Sequence, residues 1–194
     1  MIQPTRLGRF CTSVLRLFGW RIVYEKPPVA KSVIFVYPHT SNWDFPIGIL
    51  FRYATGMPIR WVGKDTLFRW PYGAAFRRLG GIPVNRRVST GFVSQMVDEF
   101  ARHETFYLAI APEGTRSYTN SLKSGFYRVA LAAQVPLTLG FFDYARREAG
   151  IAGYLILSGD ETADLARIAA VYADKRGKHP AKQGRIAFAG KDAA

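Results

Sequence analysis

Cysteine, acidic residues and long apolar runs are all scarce in this 194-residue chain. A single cysteine, Cys11, rules out an intrachain disulfide, so nothing calls for an oxidising compartment. No run of eighteen apolar residues occurs, which argues against a conventional transmembrane helix. Internal repeats and low-complexity linkers are missing too. Fourteen acidic residues stand against 27 Lys and Arg, a net charge of +13. That imbalance implies an anionic partner: a phosphate-bearing substrate, an acidic carrier protein, an anionic membrane or a nucleic acid. Charge alone does not choose among them. What is present, 48% apolar and 21% charged residues, is a globular composition, and the length suits one domain with a real core.

The chain is organised around Ser32 to Asp44, SVIFVYPHTSNWD. Val33 to Tyr37 is a short apolar run of buried-strand type, and Pro38 stops it. His39 follows at once and Asp44 five positions later, with Thr40, Ser41 and Asn42 between them as candidate helix N-caps. A histidine where a strand runs out, with a carboxylate on the first turn of the next helix, suits a general base. The carboxylate fixes the tautomer at one ring nitrogen and raises the basicity of the other. A histidine merely hydrogen-bonded at a helix start satisfies the same pair.

Ahead of this stretch, residues 7 to 18 have helical spacing. Leu7, Phe10, Cys11, Val14, Leu15 and Phe18 share one face, and Arg6, Arg9, Thr12, Ser13 and Arg16 the other. Such a stripe fits an interfacial membrane helix, or any surface helix packed on a core. The arginines interrupt it too often for a cleaved signal peptide. Pro27 and Pro28 separate residues 1–28, read as a membrane-associating arm, from a domain over 29–194.

Beyond Asp44 a helix is expected to about Tyr53, closed by Gly56 and Pro58, then a strand over Ile59 to Val62 leading to Lys64. Leu67 to Leu79 mixes Phe68, Trp70, Tyr72 and Phe76 with Arg69, Arg77 and Arg78, which suits base stacking, a cation-rimmed lipid mouth, or core packing. Gly80 to Arg87 reads as a tight turn into a short strand that delivers Arg86 and Arg87. The pattern predicts a helix over Ser89 to Arg102, a strand over Thr105 to Ile110, a helix over Tyr127 to Ala133, and strands over Val135 to Phe142 and Gly153 to Leu157. Ser158 with Glu161 reads as a capping box before a last helix carrying Leu165, Ile168 and Tyr172. The basic tail from Lys175 reads as solvated. Strands alternating with helices predict a single α/β domain, a mainly parallel mixed sheet flanked by helices. Ligands bind such sheets beyond the carboxyl ends of the strands, where the loops of His39, Arg86 and Glu113 to Arg116 would converge.

The stretch Glu113-Gly114-Thr115-Arg116-Ser117, with His39 and Asp44, resembles the glycerolipid acyltransferase family, typified by 1-acylglycerol-3-phosphate acyltransferases. The pair matches the HxxxxD motif and EGTRS matches the third motif letter for letter. Gly80 to Arg86 resembles the second, although Pro83 and Asn85 replace its frequent aromatic and aspartate, and Val135-Pro136-Leu137 resembles the fourth. The resemblance covers about Val33 to Gly140. It implies that His39, oriented by Asp44, deprotonates an acceptor hydroxyl as that hydroxyl attacks an acyl thioester. It further implies that Arg86 and Arg116, with Lys64, bind the acceptor phosphate. Glu113 would orient the acceptor or hold Arg116, Gly114 would keep the turn open beside Thr115, and the N–H groups near Gly81 and Ile82 would meet the oxyanion. No metal or cofactor is implied; acyl-CoA or an acidic acyl carrier protein is the donor substrate, and a lysophospholipid, foremost 1-acylglycerol 3-phosphate, the acceptor. The long N-terminal membrane helices of many members have no counterpart here, so peripheral attachment through residues 7 to 18, on the cytoplasmic side of an anionic membrane, is the expectation. Alternatives are transfer to another lysolipid such as an amino-acid-containing one, catalytically silent lipid binding, or a basic nucleic-acid-binding module. Nucleic acid is the lesser expectation, because the basic residues are spread along the chain rather than gathered in a reading element.

Overall fold

A computed structural model describes residues 5–25, 27–84 and 91–189. Seven strands form one sheet in the order β1-β7-β6-β2-β5-β3-β4. Their ranges are β1 Arg21–Val23, β2 Lys31–Val36, β3 Ile59–Lys64, β4 Gly81–Val84, β5 Phe106–Ile110, β6 Leu137–Asp143 and β7 Glu148–Leu155, and a short helix, α3 (Gly73–Arg78), leads into β4. All neighbours are parallel except β6 and β7, which form an antiparallel hairpin. The α/β architecture expected from the sequence is therefore present, with a mainly parallel mixed sheet.

Alternation along β2 shows how the sheet feeds two layers. Val33 and Phe35 face one side, against α4 (Phe92–Arg102), α5 (Gly125–Ala132) and α6 (Glu161–Tyr172); Met96, Phe126, Val129 and Ile168 are fully buried there. Ile34 faces the other side with Tyr107, Ile59 and Ile151, against Phe51 of α2 (Asp44–Thr55). Gly56, at φ +69°, closes α2 in the left-handed conformation that a glycine adopts without strain. Beside α2 lies α1 (Arg6–Leu17), which buries Gly8, Cys11 and Leu15; a Cβ on Gly8 would stand 2.9 Å from the Tyr53 carbonyl oxygen. Together with β1, which pairs with β7, residues 6–23 are built into the same unit as the sheet.

Several local expectations are corrected. β7 begins at Glu148 rather than Gly153, because a turn over Tyr144 to Arg147 folds the chain back along β6 and its polar residues mask the pairing that follows. α4 begins at Phe92; residues 89 and 90 lie outside the described residues. The last helix is capped by Asp160, whose side chain accepts from the N–H groups of Thr162 and Ala163, not by a Ser158–Glu161 box. Ser158 instead donates its hydroxyl and its N–H to buried Asp164. At α2 the N-cap is Trp43 without a side-chain cap, since the Ser41 hydroxyl accepts the Trp43 N–H within the preceding turn. The apolar stripe of α1 is divided: one flank packs on the core while Leu7, Phe10, Leu17 and Phe18 face outward.

The largest departure is the tail. Residues 173 to 189 are not a solvated end but a strap across the sheet's carboxyl edge. Arg176 accepts the Tyr144 N–H, His179 donates its N–H to Thr40 Oγ1, Gly184 accepts the Tyr37 hydroxyl at 2.6 Å, and Ala187 accepts the Leu122 N–H. Phe188 then packs on Phe126 and Tyr127. Lysines and arginines dominate its surface, but Gly177, Gly184 and Phe188 decide its course.

Candidate active site

Strands β2, β5, β3 and β4 are successive parallel neighbours, so the loops that follow them leave one edge of the sheet. His39 stands after β2, Glu113 to Arg116 after β5, and Lys64 ends β3. Arg86 and Arg87, after β4, lie outside the described residues.

His39 Nδ1 lies 3.0 Å from Asp44 Oδ2. The contact is short but poorly aligned, and Nδ1 has no well-directed hydrogen bond; catalytic hydrogen bonds of this kind commonly tighten only once substrate is bound. Asp44 is 2% exposed. Its Oδ2 also accepts the Ser41 N–H at 3.0 Å, and Oδ1 accepts the Tyr144 hydroxyl at 2.7 Å. The carboxylate is thus held from three directions, with Nδ1 of the imidazole turned to it and Nε2 left as the base nitrogen.

Glu113 is engaged by backbone rather than by Arg116. Its Oε2 accepts the His39 N–H at 2.7 Å and its Oε1 accepts the Gly184 N–H at 2.9 Å, so both oxygens are engaged by backbone. Among the described residues no ion pair joins it to Arg116. Burial pushes its carboxyl up, and the Gly184 and His39 donors only partly offset that. Glu113 is a strut between the His39 loop and the strap. Gly114 beside it sits at φ +65°, which an L side chain adopts only with strain, and a Cβ there would also press on Lys123.

His39 and Asp44 open onto a cavity of about 740 Å³ between α2 and the sheet. Lys64, Gly114, Thr115 and Arg116 share its lining. Small residues on the facing surfaces, among them Gly48, Ala109 and Gly140, leave this space. Aromatic packing of Phe45 on Trp61, and of Trp61 on Phe68 and Phe76, walls one flank. The lining runs from Ile59 to Lys64, the length of β3, which at strand rise is roughly 16 Å. Arg52 lines it as well, with Nε and Nη1 buried and unpaired.

Gly81 and Ile82 are not brought to this site. They pair with Trp61 and Val62 in the β3–β4 ladder and do not line the cavity. Gly81 is glycine there because a Cβ would stand 2.6 Å from the Phe68 ring. Sequence reading missed Tyr144 and the strap. Neither carries a motif, and the only signal was the spacing of small residues in a basic tail. Among the described residues no group of three or more His, Cys, Asp or Glu gathers as a metal site, and no helix is long and apolar enough to cross a membrane.

A histidine–carboxylate pair thus stands beside a largely apolar cavity that also carries cations. A family model described as Acyltransferase matches residues 21–138, more than half of the chain, and the protein belongs to that family. Among solved structures, the fold is similar to the crystal structure of PlsC, the 1-acyl-sn-glycerophosphate acyltransferase of Thermotoga maritima, at TM-score 0.58 and 19% identity. That alignment covers 85% of this chain and 74% of the other. No curated protein sequence matches.

Proposed function

We propose that this acyltransferase moves a fatty acyl chain from an acyl thioester, acyl-CoA or acyl carrier protein, to the free hydroxyl of a lysophospholipid, most of all 1-acylglycerol 3-phosphate. The observation that carries this reading is the His39–Asp44 pair at the cationic mouth of a long apolar cavity. His39 Nε2 takes the hydroxyl proton as the oxygen attacks the thioester carbon, and the resulting imidazolium is stabilised by Asp44. Collapse of the tetrahedral intermediate breaks the C–S bond, and the proton passes from His39 to the leaving thiolate. An already activated thioester needs no enzyme nucleophile, and Cys11, buried in α1, takes no part. Lys64 and Arg116 suit the acceptor phosphate, and the cavity suits the acyl chain. PlsC is named a 1-acyl-sn-glycerophosphate acyltransferase, in keeping with this acceptor.

The exposed half of the α1 stripe supports peripheral attachment to the cytoplasmic side of an anionic membrane. Leu7, Phe10, Leu17 and Phe18 face outward among Arg6, Arg9 and Arg16.

The test is wild type and His39→Ala with long-chain acyl-CoA or acyl carrier protein and a panel of lysolipids, scored for diacyl product and free thiol. Turnover in the wild type, and a loss of about 10²–10⁴-fold in the folded variant, is expected. Undiminished turnover in the variant overturns the assignment.

A further inference from the structure

Asp44 is held by a side chain that belongs to none of the sequence motifs. Tyr144 stands directly after β6, far from Asp44 in sequence, and its hydroxyl donates to Asp44 Oδ1 at 2.7 Å. Two further contacts fix that phenol from outside the motifs. Its ring packs edge-on against Trp20, with centroids 4.9 Å apart and planes at 89°. Its backbone N–H donates to the Arg176 carbonyl oxygen of the strap at 2.8 Å. Trp20 in turn lies beside Leu15 and Ile47, where α1 meets α2.

The two oxygens of Asp44 have separate duties. Oδ2 faces His39 Nδ1 and takes the Ser41 N–H at 3.0 Å, which anchors that oxygen and leaves the second oxygen to set the tilt of the carboxylate. Oδ1 accepts the Tyr144 hydroxyl, and this second anchor fixes the plane in which Oδ2 meets the imidazole. A hydrogen bond to an ionised carboxylate is also stronger than one between neutral groups, so it sets how much of the negative charge the imidazole experiences. We propose that Tyr144 is a positioning residue of the acyltransfer site, its hydroxyl fixing the orientation and the effective charge of Asp44 for His39. The proposal rests on the acyltransferase reading of that pair. Burial, helped by the Asp44 carboxylate, pushes the phenol well above its ordinary range, so it remains a donor throughout the working pH range. Among the described residues, the other charged or titratable groups around the pair are Glu113 on the His39 N–H, Arg52, Lys64 and Arg116 in the cavity lining, His179 on Thr40, and Lys178 over the Trp43 ring.

Tyr144→Phe removes the hydroxyl and keeps the ring on Trp20. The first readout needs no turnover: the His39 imidazole proton resonance followed against pH by NMR, assigned with His39→Ala among only three histidines. With its donor gone, Asp44 holds the imidazolium more tightly, so the His39 titration moves to higher pH in Tyr144→Phe. The second readout is turnover with acyl-CoA and 1-acylglycerol 3-phosphate. The variant is expected to lose about tenfold in kcat with little change in donor KM, and its acid limb moves in the same direction as the NMR titration. In an Asp44→Asn background the same change should cost nothing further, because the two residues act through one path. A His39 titration unchanged in a folded variant overturns the proposal, as does an unchanged kcat or a loss that adds in full to that of Asp44→Asn. Absence of wild-type turnover on every donor and acceptor would instead sink the acyltransferase reading, and the titration would still decide whether Tyr144 acts on His39.

Discussion

At the scale of residues, the site separates groups that face substrate from groups that hold those groups still. Glu113 belongs to the second kind. Glu113→Gln keeps its size but turns an NH₂ toward one of two backbone donors, leaving the His39 N–H or the Gly184 N–H unpaired. An unpaired buried donor costs about 1–3 kcal/mol. Loosening of the loop should therefore lower kcat roughly tenfold or more without unfolding, read by steady-state kinetics beside circular dichroism. Arg116 is exposed at the cavity mouth and free of Glu113, so Arg116→Ala should raise KM for a phosphate-bearing acceptor and leave thermal stability nearly unchanged. A large drop in melting temperature with unaltered KM would contradict that. His39, Asp44 and the Glu113 to Ser117 loop were legible in the sequence because chemistry limits which residue types can serve there. The role of Glu113 was not, because its partners are backbone N–H groups, and any sequence supplies those. Tyr144 was hidden for a similar reason: a tyrosine one hundred residues from its acceptor carries no local pattern.

Among elements, helix periods and strand runs disclosed most of the sheet and the two helical layers, while caps and edges were misplaced. The Ser158 region shows why. Ser and Glu at capping spacing invite one reading, yet the carboxylate of Asp160 reaches the first-turn N–H groups, freeing Ser158 to serve Asp164. Burial pushes the Asp164 carboxyl up, but the donors Tyr127, Ser158 and Gly159 outweigh it and hold it below the ordinary aspartate value. A depressed acid stabilises the fold above its unfolded value, about pH 3.9, and that contribution is lost as pH falls through the lower folded value. Asp164→Asn should therefore cost roughly 3 kcal/mol at neutral pH and make stability fall less steeply below about pH 4. Urea unfolding across a pH series measures both. On α1 the division of the stripe separates two roles that periodicity had merged. Replacing Leu7, Phe10 and Phe18 with serine leaves Cys11 and Leu15 in place, so anionic vesicle binding should weaken while the fold persists. Unchanged co-sedimentation of the triple variant with vesicles would remove α1 from the membrane reading.

Taken whole, the molecule has a marked charge asymmetry along its chain: residues 6 to 24 and 66 to 84 carry seven arginines and no acid. Trp70, 94% exposed, and Tyr72 stand in the second of these segments. Under the membrane attachment proposed above, exposed apolar rings among arginines on both segments would meet the anionic surface. Binding through arginines should weaken as salt shortens the range of their attraction, whereas the apolar share should not. The strap adds a consequence in time. Tyr37 and Gly184 are 147 positions apart, and Glu113 waits 71 positions for the same glycine. At about 5–20 residues per second, the ribosome makes the base of this site many seconds before the segment that steadies it. Any catalytic competence that depends on the strap is thus acquired only after this segment has emerged, well after the base itself.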